Sequence, residues 1–511
     1  MKAIYTTLFA AAAYLAVTPA CSKFDAINTN PNATSSVTPS LLATNLILDI
    51  TGSSASKSFV TPYMVSKHIA WGELAQSEQY NSFGRTSLGG MQVLTNVQKM
   101  ISQAAPADKN AYTGLGLFIK AYKLYYLSMS LGDIPYSDAL SGETGNVRPK
   151  YDEQKKVMQQ VLADLENADK LLSSAGNFSG DPTQLGGSAD LWRRVINSFR
   201  LKVLISLSKK VTDPDLRIKE QFAQIATTSP LLRSNADNLQ TVYSNKAGQI
   251  YPYNNTLFKG TAYGMISSVI IDTLKKFNDY RLFYYAAPSA YAIKTEGKKA
   301  DDWNAYPGTD PTPEFSVIAK IYTAGKHCAY NLRYTDYVSG EPVIRIGYAE
   351  QNFILAEAAV LGWTSGNAKT FYEEGVKAAM NFVATNTPDD VRYHSGRKIT
   401  ADYINNTYLT GTDVGFATTA DMQLKQIYVQ KYILYFMQHP WDAYYECRRT
   451  GYPALPVNPA TSLNQDDKTQ MPVRWMYPQD EYDYNQANLK EALQRQYGGT
   501  DKTNNIMWIL K

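Results

Sequence analysis

The side chains that could do chemistry unaided are few and poorly spaced for it. His68, His327, His394 and His439 are the only histidines in 511 residues. None lies four positions from another, so no helix can turn two imidazoles toward one zinc ion. His327 and Cys328 are adjacent, and side chains on neighbouring residues do not easily meet one metal. Asp480, Glu481 and Asp483 lack the spacing and the glycine of an EF-hand loop and read as a solvated acidic turn. No G-x-S-x-G elbow, Walker loop or G-x-G-x-x-G fingerprint occurs. Paired carboxylates for glycoside hydrolysis are defined by distance in space, and 46 acidic residues leave that chemistry open. The expectation is a binding protein with no catalytic residue, no metal and no cofactor; the alternative from another class is a secreted glycan hydrolase.

Aromatic residues are the better signal. Tyr outnumbers Phe 38 to 17, and a Tyr ring packs while its hydroxyl bonds outward. Tyr-rich helix packing would account for the excess; a ligand-facing surface would account for it too. Sugar rings present faces of C–H bonds, which flat Trp and Tyr rings can meet. Rings on helix stripes are consumed by the core, so candidates are sought on loops. In 68–85, Trp71, Tyr80 and Phe83 lie among Asn, Gln, Ser and Gly. In the stretch around 284–306, Tyr284, Tyr285, Trp303 and Tyr306 lie among Asp, Asn, Pro and Gly. Asn81, Arg85, Asp302 and Asn304 stand nearby as hydrogen-bonding partners for hydroxyls, Arg being suited to forked contacts. Trp71 and Trp303 lead, because Trp supplies the largest platform.

The elements that must carry these residues are mostly helices. Leu115, Phe118, Ile119, Tyr122, Tyr126 and Met129 recur at helical spacing in 111–130, and Gly132 stops that helix. A second amphipathic helix is expected over 151–172 and a third over 190–209. Consecutive helices with one apolar face must bury those faces against each other, as helical hairpins do. Residues 352–363 are apolar nearly all round and therefore buried, and helical period recurs in 367–383, 421–437 and 485–495. Between 237 and 345 the period weakens, apart from about 264–277, while Gly, Pro, Asn and Tyr rise. This predicts loops and short strands inserted into the helical body. The fold class is mostly α: helix pairs forming one body over 41–511, with a loop-rich, ligand-binding insert. A net charge of +4 with no basic stripe gives no argument for nucleic acid.

The N-terminus reads as an address. Residues 1–20 combine Lys2, an apolar stretch from Leu8 to Val17 and the small Ala20, as a signal peptide does. Cys21 follows, and the composition then turns polar. A small residue before Cys at this point resembles a bacterial lipobox, which implies a diacylglycerol on Cys21 and a tether over 21–40. Cys328 and Cys447 make no disulfide framework and are expected as separate thiols.

Six blocks, in this order and spacing, resemble one family: GDIPYSDAL (132–140), LWRRVINSFRLKVLISLSK (191–209), FNDYRLFYYAAP (277–288), YAEQNFILAEAAVLGW (348–363), IYVQKYILYFMQHPWDAYYECRRTGYP (427–453) and RWMYPQDEYDYNQANLKEA (474–492). INTNPNA (27–33) points the same way. The resemblance is to the SusD/RagB family of outer-membrane nutrient-binding lipoproteins. It implies tetratricopeptide-like helix pairs, a ligand face of loops, and capture of oligosaccharides or, alternatively, oligopeptides. It also implies a SusC-type TonB-dependent β-barrel transporter as partner, and a lipid-anchored place on the outer membrane, facing outside. Within the blocks, Gly132 and Pro135 read as a helix stop. Arg448 and Arg449, with Trp441 and Asp442, read as residues that hold the core together.

Overall fold

The helical periods resolve into thirteen α-helices of nine residues or more in the computed structural model, which describes residues 37–511. Cys21 and the 27–33 motif lie outside the described residues. The helices are α1 (Pro39–Thr51), α2 (Thr95–Gln103), α3 (Lys109–Leu131), α4 (Gln154–Ser173), α5 (Ala189–Ser206), α6 (Ile218–Thr228), α7 (Ser268–Lys276), α8 (Phe315–Thr323), α9 (Tyr348–Val360), α10 (Ala368–Thr385), α11 (Ala420–Leu434), α12 (Asp442–Thr450) and α13 (Gln486–Tyr497). Local signals set their ends. Thr38, Ser188 and Asn367 cap α1, α5 and α10 by accepting from backbone N–H groups of the first turn. Gly132 ends α3 at φ 96°, where a β-carbon would collide with the side chains of Gln496 and Tyr497. Among the described residues no helix is long and apolar enough to cross a membrane.

Helix α3 packs on α4 and α4 on α5, so the three expected amphipathic helices form successive hairpins. Their faces, with α1, α2, α6, α13 and the C-terminal tail, build one large core around Leu115, Phe118, Leu165, Trp192 and Phe199. The irregular stretch has a core of its own. Its strands are only three or four residues long: β1 (Ile69–Trp71), β2 (Leu239–Thr241), β3 (Gly264–Ile266) and β4 (Val343–Ile346). β1 pairs antiparallel with β3, Ala70 opposite Met265, and β2 pairs antiparallel with β4, with an irregularity between Leu239 and Gln240. Around them Tyr251, Tyr253, Phe283, Tyr330, Tyr334 and Phe436 pack with residues of α9, α10 and α11. The loop-rich region thus carries a second, aromatic core.

Helix α9 is buried along its whole middle, as its composition predicts, and packs against α5, α10 and α11. It nevertheless carries two carboxylates inward. Glu350 meets Lys202 of α5 at 2.9 Å and accepts the Tyr435 hydroxyl at 2.8 Å. Glu357 takes both terminal nitrogens of Arg449 at 2.7 and 2.9 Å. Buried charge is tolerable only when paired in this way. The FNDYRLFYY block behaves likewise: Asp279 and Arg281, both fully buried, pair at 2.6 Å, with Tyr408 and Gln430 completing the shell. Cys328 and Cys447 are free, separate and buried.

Candidate ligand-binding site

The residues expected to bind ligand are mostly inside the structure. Trp71 is 1 % exposed, stacked under Phe258 at 6.3 Å and covered by Tyr263, its indole N–H donating to Glu73. Tyr284, Tyr285 and Tyr306 belong to the same aromatic core; their hydroxyls meet the backbone of Ile399, Ile433 and Ala300. Tyr80 is buried and donates to the Pro313 carbonyl. Asn81 is buried too, accepting from the Lys67 ammonium at 2.7 Å. Phe83 is buried against Tyr444 and stacks on Trp475 at 4.3 Å. This corrects the expectation that these seven stand free on loops: Trp71, Tyr284, Tyr285 and Tyr306 fill the aromatic core, Phe83 joins the large helical core, and Tyr80 packs with Ala70, Met265 and Ile318. Held between other groups, they offer no free face to a sugar.

The remaining four do reach solvent. Arg85 is exposed but committed to Asp501 and the Tyr477 carbonyl. Asp302 caps the turn over 303–305, Asn304 is exposed, and Trp303 lies half-buried on Phe283 at 4.8 Å.

A concave site lies elsewhere, in the seam between the two cores. It is an open cleft of about 540 Å³, within the range of about 300–1,000 Å³ usual for small-molecule sites. The C-terminal end of α1 and the Gly52–Ser54 turn form one lip, and residues 86–91 the other. The outer face of α3 contributes Tyr122, Lys123, Tyr126 and Ser130. The entry to α12 contributes His439, Trp441, Asp442 and Tyr445, and Trp475 closes the end.

Two half-buried tryptophans meet there at a right angle, Trp441 and Trp475, with ring centroids 5.2 Å apart. Phe83, expected to touch ligand, instead backs Trp475 from behind. The turn that presents Trp441 is unusual. Met437, His439 and Trp441 have φ of 60°, 46° and 71°, a region that costs a side-chain-bearing residue about 1–3 kcal/mol and that clusters at ligand clamps. What holds the turn is polar. The Asp442 carboxylate takes the Lys202 ammonium at 2.5 Å and the Tyr126 hydroxyl at 3.0 Å, and His439 packs beside Glu350 and Asp442. Burial alone would raise the Asp442 carboxyl; the Lys202 charge overcomes it and keeps the acid below its ordinary range. Glu350, His439 and Asp442 have ligand atoms close enough for a metal ion, but the Lys202 ammonium already bridges the two carboxylates.

The arrangement supplies aromatic faces, hydroxyls on Ser53, Ser87 and Ser130, and fixed charge, without an acid–base pair aimed at open space. It can bind, and it suits a ligand with flat C–H faces and hydroxyl groups. Sequence reasoning assigns Trp441 to packing; the one local signal that sets it apart is its place in the helix-breaking context His439-Pro440-Trp441.

Comparison with known proteins agrees with the fold. The profile of the SusD-like family, described as starch-binding and associating with the outer membrane, matches residues 31–478. A crystal structure of a SusD homologue from Bacteroides fragilis is 50% identical, with a TM-score of 0.90, over 93% of this chain and 100% of that one. A second SusD homologue from the same species is 36% identical, with a TM-score of 0.80, over the same shares. A chitin-binding SusD homologue from Flavobacterium johnsoniae shares the fold at 19% identity and a TM-score of 0.70, over 93% of this chain and 98% of that one. Among curated proteins none matches the chain significantly.

Proposed function

We propose, since this chain belongs to the SusD-like family of outer-membrane nutrient-binding proteins, that it captures oligosaccharides in the seam cleft and delivers them to a SusC-type TonB-dependent barrel. The family description names starch binding and the outer membrane. The observation that carries the reading for this chain is the pair Trp441 and Trp475, half-buried at a right angle in a mostly apolar cleft that also carries the hydroxyls of Ser53, Ser87 and Ser130. Rings held in place by the fold give a sugar its stacking surface without first being ordered, so little conformational entropy is lost on binding. Binding and release, with no bond broken, is the whole of the proposed chemistry.

The test is calorimetric titration of neutral and acidic oligosaccharides, and of short peptides, into wild type and two variants. Trp441→Ala should weaken sugar binding by about 1–3 kcal/mol, the range for stacking on one aromatic side chain, and leave the melting temperature nearly unchanged. Trp303→Ala probes the surface expected from the sequence. Loss of affinity in Trp303→Ala but not in Trp441→Ala would move the site to that surface. Preference for peptides over every sugar would replace the ligand class.

A further inference from the structure

We infer that the cleft recognises an acidic sugar, such as a uronic or sialic acid unit, by its carboxylate, and that Arg345 is the residue that reads it. The inference rests on the cleft being the ligand site, and names the ligand class it takes. Six arginines are buried among the described residues: Arg200, Arg281, Arg333, Arg345, Arg449 and Arg474. Five of them have a carboxylate within ion-pair range: Glu166, Asp279, Glu341, Glu357 and Asp501 respectively. Arg345 has none among the described residues, yet it is only 7 % exposed. A buried cation without a counter-charge is costly, and this one, unlike the other five buried arginines, stands unpaired at the wall of the cleft.

The orientation of Arg345 is fixed. It stands on β4, and its Nη2 donates to the carbonyls of Thr51 and Gly52 at 3.0 and 2.6 Å and to the Ser53 hydroxyl at 2.9 Å. That one nitrogen ties the guanidinium to the cleft lip. Nε has no partner, and Nη1 takes part in no hydrogen bond among the described residues. Nη1, the donor left unused on a guanidinium that lines the cleft, can give a charge-assisted hydrogen bond to one oxygen of a carboxylate. The acids already in the cleft do not serve. Asp49 pairs with Lys123, and Asp442 shares Lys202 with Glu350. The unmatched charge is therefore positive. The tryptophan walls select a ring rather than an extended chain, which favours a sugar acid over a peptide terminus.

The experiment is calorimetry on the full mature protein. The probes are digalacturonate and oligosaccharides ending in glucuronic or N-acetylneuraminic acid, each beside its methyl ester, with neutral maltose and a tripeptide for comparison. The acid should bind at least about tenfold more tightly than its ester, the difference between a charged and a neutral acceptor. Arg345→Met should bring that ratio near one. Arg345→Lys, which keeps the charge but loses the planar group tied to the cleft lip, should leave it intermediate. Trp441→Ala should weaken acid and ester alike. If Arg345→Met does not fold, the wild-type ratio decides alone. Equal binding of acid, ester and neutral sugar overturns the inference and leaves the proposed function standing. Binding of the tripeptide alone, or of nothing, overturns both.

Discussion

His68 is wholly buried, its ring stacked 3.9 Å from Tyr432 and its Nε2 placed 2.9 Å from that residue's carbonyl. A carbonyl can only accept, so Nε2 carries the proton, and the neutral ring leaves Nδ1 to accept from Ser66 at 2.8 Å. Desolvation pushes its pKa down to about 4, against the partial help of the Tyr432 carbonyl. The folded value thus lies below the unfolded one near 6.5. Between the two, the unfolded chain binds a proton that the folded chain refuses, so the contribution is full above pH 6.5 and is lost as pH falls toward 4. About 3 kcal/mol is at stake. Urea midpoints measured from pH 7.5 to 4.5 should fall more steeply for wild type than for His68→Gln; parallel slopes would show that His68 titrates normally. At this scale the sequence shows residue type and misses surroundings. Trp71, on β1, and Tyr306, beyond the turn over 303–305, are fully enclosed, because burial depends on which distant ring covers them. Arg345 carries no local mark at all: its interest lies in a missing partner, which is a property of space.

Helix α9 shows what periodicity can and cannot tell about an element. Its apolar character announces burial, and α3, α4 and α5 are equally readable, because each repeats apolar residues at helical period, with Gly132 closing α3 and Ser188 opening α5. The carboxylates of α9 were readable as residues but not as ties. Glu357 holds Arg449 of α12, and Lys431 of α11 lies 3.8 Å away, reaching Glu446 of α12 at 2.7 Å. Replacing Glu357 with Leu leaves Arg449 and Lys431 buried with one shared acid. Removal of one partner from a buried pair costs about 3–5 kcal/mol, so a lowered denaturation midpoint is expected by light scattering and circular dichroism. A midpoint unchanged in Glu357→Leu would mean that Glu446 alone satisfies both cations. Short strands are expected within 237–345, and three of the four start there, but their exact places and partners are not legible. Three residues give no alternation to detect, and their pairing is set by segments nearly two hundred positions away, as Ala70 opposite Met265 illustrates.

At the scale of the whole molecule, a helical body bears an aromatic half, and the lipobox-like sequence around Cys21 leads us to propose that a lipid there holds it to a membrane. Cys21→Ala should move the protein from the membrane fraction to the soluble one, and mild detergent extraction of the wild type should recover a β-barrel with it. A variant that stays with the membrane would remove Cys21 as the anchor. The seam has one more consequence, and it concerns time. The cleft takes residues from Asp49, from α3, from β4, from the turn before α12 and from Trp475, so no stretch of the chain contains it. Contacts between such distant segments close late, after the local hairpins have formed. A nascent or truncated chain can therefore be helical and compact while still unable to hold a ligand. Binding competence becomes the last thing the chain acquires, and its presence certifies that both cores have met.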